Sequence, residues 1–136
     1  MTIYYICAVD ITNYDAQRTH ILEVVLNLHH LGEDVTLFLP QFRKKRESFP
    51  FKTVYVPVLL KKSKLKFVEY EIGSFFVLLA HCLLRRPQVV YIRKGFLTVV
   101  PGIVSRLLGI KSIIEINGII AEELRVGLNL PGFAVP

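Results

Sequence analysis

The stretch "QVVYIRKGFLTVVPGIVSRLLGIKSIIEI", residues 88–116, decides the fold. It opens on "QVVYIR", a run of strand length rich in β-branched residues. "FLTVVPGIVSRLLG" follows and reads as a helix, with Pro101 in its early turns and Gly109 at its end. "KSIIEI" is a second apolar run of strand length, expected to be buried. Strand, helix and strand in this order predict a parallel pair joined by a right-handed crossover.

The preceding residues repeat the alternation. "TIYYICAV" reads as a strand covered on both faces, and the polar loop "DITNYDAQ" follows it. Ile21, Val24, Val25, Leu28 and Leu31 then recur at helical spacing, with Gly32 placed to cap the helix. "VTLFLP" and "KTVYVPV" read as two more strands, separated by the basic loop "QFRKKRESFPF". A mostly apolar helix over about 65–86 comes next, and Pro87 stops it. The expected fold class is therefore α/β: a Rossmann-like parallel sheet with helices on both faces. A chain of 136 residues is enough for one such domain.

Composition narrows the function classes. Hydrophobic residues make up 52% and the mean hydropathy is +0.45, too apolar for disorder. The run "FVEYEIGSFFVLLAHCLL" is interrupted by Glu69 and Glu71, leaving 13 residues over 72–84. That is short of the ~20 a membrane-spanning helix needs, so a buried helix is expected. The N-terminus has no basic region or small-residue cleavage site, leaving the cytoplasm by default. Cys7 and Cys82 lie among apolar neighbours and read as core residues, with no metal site indicated.

The net charge of +6 is concentrated. Between 43 and 66 stand nine basic residues (Arg43, Lys44, Lys45, Arg46, Lys52, Lys61, Lys62, Lys64 and Lys66) against one acid, Glu47. This reads as a local basic face on an otherwise mildly acidic domain. The interleaved phenylalanines form no recognisable RNA-binding motif, so no nucleic-acid partner is expected.

Ligands of an open parallel sheet bind beyond the carboxyl ends of its strands. Three loops qualify here: 10–19, 93–96 and 117–123. Glu115 is a charge among apolar neighbours, either functional or in an ion pair with Arg93 or Lys94. Asn117 beside Gly118 either bonds a ligand hydroxyl or makes a turn. Glu122 and Glu123 either bind ligand or favour a helix N-terminus, and Asp10, Asn13 and Asp15 are all good caps. His20 either contacts ligand or is solvated. The first loop holds no glycine, so neither a dinucleotide fingerprint nor a P-loop is present, and no G-x-S-x-G elbow occurs.

Two runs carry a resemblance. "RTHILEVVLNLHHLGEDVTLFLP" resembles the first helix and second strand of family 4 glycosyltransferases of the GT-B fold. "VVYIRKGFLTVVPGIVSRLLGIKSIIEING", followed by "IIAEELR", resembles that family's strand, helix and strand leading to a short E-x-N-G-like turn with a nearby glutamate. The resemblance implies the N-terminal, acceptor-side half of a two-domain enzyme, ending before the donor domain and not expected to turn over alone. It implies retaining transfer from a nucleotide-diphosphate sugar to a hydroxyl of a saccharide or lipid-linked acceptor. No cofactor is implied. Glu115, Asn117, Gly118, Glu122, Glu123, His20 and Arg93 would then line the acceptor and sugar site. Arg43, Lys44, Lys45, Arg46, Lys61, Lys62, Lys64 and Lys66 would hold the domain on the anionic cytoplasmic face of a membrane. The rival expectation is a flavodoxin-like adaptor module docking through the same 43–66 region, and a third is one subunit of a split enzyme.

Overall fold

In the computed structural model, residues 1–44, 46–61, 65–95 and 98–116 are described. They form β1 (Thr2–Cys7), α1 (Ala16–His30), β2 (Asp34–Gln41), β3 (Lys52–Pro57), α2 (Lys66–Leu84), β4 (Val89–Arg93), α3 (Val100–Leu107) and β5 (Lys111–Glu115). The five strands make one all-parallel sheet in the order β3-β2-β1-β4-β5. This is a Rossmann-like α/β fold. From β1 the chain moves outward through β2 to β3, then returns to the other side of β1 to lay down β4 and β5. The strand order therefore reverses between β1 and β4.

Period-two alternation sends the strand residues to two separate cores. Ile3, Tyr5 and Cys7 of β1 face α1, where they pack with Val35, Leu37 and Leu39 of β2 and with Ile21 and Val25 of α1. Tyr4 and Ile6 face the other way, with Phe38, Val90 and Ile92, under Leu78 and Cys82 of α2 and Val104 of α3. One helix thus covers one face and two helices cover the other, as right-handed crossovers running in opposite directions require.

Two glycines end helices as the sequence predicts. Gly32 has φ +83° and Gly109 has φ +61°. The Gly32 N–H bonds to the His29 carbonyl and the Glu33 N–H to Leu28; the Gly109 N–H bonds to Arg106 and the Ile110 N–H to Ser105. Each pair is a Schellman closure, which needs a left-handed residue at that point.

Two burial expectations are corrected. The helix expected to be buried, α2, is buried on one side only: Tyr70, Ser74, Leu78 and Cys82 pack inward, whereas Ile72, Phe76 and Leu83 are 59%, 65% and 69% exposed. It is also 19 residues long and apolar enough overall to cross a membrane by length and composition, the two glutamates notwithstanding. A helix lying on a sheet has one face to bury, and this sequence is apolar all round. The second correction is β5, whose Ile113 and Ile114 are 49% and 55% exposed. Among the described residues β5 is an outer strand, paired only with β4.

Candidate functional site

The register of β4 and β5 builds the centre of the site. Arg93 and Glu115 are paired positions at the carboxyl ends of the two strands, and Cys7 ends β1 in the same row. Neighbours in one row of a parallel sheet share a face, so Arg93 and Glu115 both stand on the α1 side. The Arg93 Nη1 lies 2.6 Å from Glu115 Oε1. Arg93 is only 8% exposed, so the ion pair alternative read from the sequence is the observed arrangement. Burial is tolerable because each charge has its partner.

Two more elements converge on the same carboxylate. Asp15 caps α1 by accepting the Arg18 N–H at 2.9 Å, which settles which of the three candidate caps is used. The helix therefore starts at Ala16, and His20 stands in its second turn. The His20 Nε2 lies 2.8 Å from Glu115 Oε1. An ionised carboxylate only accepts, so Nε2 carries the proton; in the neutral ring Nδ1 is left with a lone pair. From β1, the Tyr5 hydroxyl donates to Glu115 Oε2 at 3.1 Å. The Tyr5 ring stacks on Tyr91 with centroids 4.9 Å apart.

Both tyrosines stay protonated donors. Burial pushes the Tyr5 phenol far above its ordinary value, with the Cys7 thiol and the negative Glu115 adding to the shift. Tyr91 is raised by burial first and then by the charge of Glu115 and a hydrogen bond to it. The Cys7 thiol beneath them is pushed up to about 12 by burial, which leaves it without nucleophilic thiolate at neutral pH. The result is a carboxylate held by an arginine, an imidazole and tyrosine hydroxyls, with the His20 side chain 47% exposed. Tyr5 and Tyr91 were not singled out from the sequence. The only signal for them is parity, which puts both on the face of Arg93 and Glu115 once the register is known.

The basic region divides. Arg43, Lys44 and Arg46 follow β2, and Lys61 and Lys66 follow β3, so all five lie toward the carboxyl rim that carries the site. Arg43 bonds Asn13 Oδ1 at 2.8 Å and pairs with Asp10 at 3.5 Å, tying the basic loop to the first loop. Arg18 joins them by pairing with Glu47 at 2.9 Å. The Lys66 ammonium sits 5.0 Å from the Phe42 ring centroid. Lys52 does not belong to this face: it begins β3 at the opposite end of the sheet and pairs with Asp34. The single basic face read from the sequence is corrected accordingly, since one strand length separates the two ends. Lys45, Lys62, Lys64, Asn117, Gly118, Glu122 and Glu123 lie outside the described residues.

The site therefore belongs to a Rossmann-like α/β protein, at the carboxyl rim of the strands flanking the strand-order reversal. No protein-family model matches the chain. No curated protein matches it either.

Proposed function

We propose that the chain is the acceptor-side domain of a retaining GT-B glycosyltransferase, moving a sugar from a nucleotide-diphosphate sugar to a saccharide or lipid-linked hydroxyl. The observation that carries the reading is the convergence of His20, Arg93 and Tyr5 on Glu115 beside the reversal between β1 and β4. A crevice at such a point is where open α/β sheets bind ligands. The resemblance described from the sequence supplies the reaction class.

Within this reading Glu115 is a positioning residue. Its oxygens are already engaged by protein donors, so it orients His20 and neutralises Arg93 while His20 meets the acceptor. The His20 Nδ1 lone pair accepts the hydrogen bond of the acceptor hydroxyl and fixes its orientation. The basic residues along the same rim favour an acceptor or donor bearing phosphate. The nucleotide sugar falls chiefly to a second, donor-side unit. The exposed Ile113, Ile114 and Ile116 at β5 support further structure, or a partner subunit, against that edge.

The test is sugar transfer by the intact native protein, with a panel of nucleotide sugars against saccharide and lipid-linked acceptors. His20→Ala should lower turnover by about 100-fold, the usual scale for a positioned proton-bonding group, with the melting temperature lowered by no more than about 4 °C. Undiminished transfer by this variant removes His20 from the site. Absence of transfer with every donor by the wild-type protein rejects the transferase reading.

A further inference from the structure

Beside the site, the outer side of the α2–α3 layer is left without a role. Ile72, Phe76 and Leu83 project from α2, and Val99, Ile103 and Leu107 from the start to the end of α3, all between 47% and 69% exposed. Their spacings of four and seven residues keep each set on one side of its helix, opposite the residues that pack on the sheet. The two helices share the second core and both run back from the carboxyl rim, so the two stripes lie side by side. A contiguous apolar face of this kind marks an interaction site.

The charge around it selects the occupant. Across 66–111 the sequence holds only two acids, Glu69 and Glu71. Both are turned to internal use: Glu69 accepts the backbone N–H groups of Leu59 and Leu60 at 2.8 and 2.7 Å. Glu71 is buried and accepts those of Val99 and Val100. Arg85 is neutralised by Asp34 at 2.6 Å, and the charges left at the margins are Lys66, Arg86, Arg106 and Lys111, all positive. An apolar strip with a basic border fits an anionic lipid surface, whereas a second copy would bring two basic borders together.

We infer that the α2–α3 face is a membrane-docking surface that seats in the interfacial region of an anionic bilayer, with both helices in the membrane plane. α2 does not cross. Tyr70, Leu78 and Cys82 belong to the cores, and the Tyr4 hydroxyl holds the helix end through the Arg85 carbonyl at 2.7 Å. The inference differs from docking through the 43–66 loops, whose Arg43 is engaged with Asp10 and Asn13, and it does not depend on the transferase reading.

Flotation of the full chain with phosphatidylcholine vesicles, with and without phosphatidylglycerol, tests it. The wild-type chain should float with the anionic vesicles, and the variant Ile72→Ser, Phe76→Ser, Leu83→Ser should bind them at least about tenfold more weakly. Ile103→Ser with Leu107→Ser, on the other helix, should also weaken binding, which guards against a folding defect confined to α2. Circular dichroism melting should show both variants folded. Lys44→Ala with Arg46→Ala should change binding less than either. Failure of the wild-type chain to float, or flotation of both serine variants equal to that of the wild type, overturns the inference. So does a wild-type dimer in gel filtration with light scattering that the α2 variant converts to monomer, because the occupant is then a second copy.

Discussion

At the residue scale the decisive group is Glu115, and its partners make its removal informative. Glu115→Ala strands the Arg93 guanidinium in a nearly buried position and leaves the Tyr5 hydroxyl without its acceptor. Breaking one half of such a pair costs about 3 kcal/mol or more, so urea unfolding should show a large loss of stability. Glu115→Gln keeps the volume and one acceptor oxygen, and should lose less. His20→Ala should cost under about 1 kcal/mol, because the imidazole is half exposed and its contact with Glu115 is solvent-screened. A stability loss for His20→Ala as large as for Glu115→Ala would mean that the imidazole is a structural member of the cluster. Glu71 supplies a pH signature. Burial raises its carboxyl above the ordinary 4.5, against the lowering effect of the Val100 and Val99 N–H groups. A group raised on folding contributes stability that is present below its unfolded value and is lost as pH rises through the folded one. Thermal stability should therefore decline in the range just above pH 4.5, and Glu71→Gln should flatten that part of the profile. An unaltered profile in the variant would assign the slope to other groups.

At the element scale, what the sequence made legible is set by local chemistry. The five strands stand out because they are short apolar runs bounded by Pro, Gly or charge, and α1 and α3 end at glycines that are found in left-handed geometry. Gly32→Ala and Gly109→Ala should each cost about 1–2 kcal/mol, the penalty of a Cβ in that conformation. Space is not the reason: a Cβ on Gly32 meets nothing within 4 Å, and one on Gly109 meets only the Arg86 guanidinium at 3.7 Å. Equal denaturation midpoints for wild type and both variants would refute the assignment. The pairing of Arg93 with Glu115 was legible as one of two alternatives, since a buried strand-end charge needs a partner. The approach of His20 and Tyr5 was not, because it depends on the angle at which α1 crosses the sheet and on strand order. The exposed sides of α2 and β5 were misread for a related reason. An apolar sequence says that burial is favourable, and only the number of neighbouring layers says which side receives it.

At the scale of the whole molecule, the fold places two different surfaces on one sheet. Polar residues gather at the carboxyl rim on the α1 side, and the apolar face lies outside α2 and α3. If the second surface seats on a bilayer, α2 must remain docked on the sheet while its outer side is in lipid. The two cysteines report on that requirement. Cys7 lies in the central strand, and Cys82 lies on the sheet side of α2. Burial holds both thiols up, at about 12 and about 11, so neither should react with a thiol reagent in the native state. Labelling then measures opening, and the single variants Cys7→Ser and Cys82→Ser separate the two positions. Equal protection, tracking the global unfolding free energy in urea, is the outcome expected of one cooperative unit. Faster labelling of Cys82 than of Cys7 would show that the α2 layer lifts from the sheet on its own. Anionic vesicles that slow labelling at Cys82 would place the lipid on the docked helix, whereas vesicles that accelerate it would mean that α2 enters the bilayer by leaving the sheet.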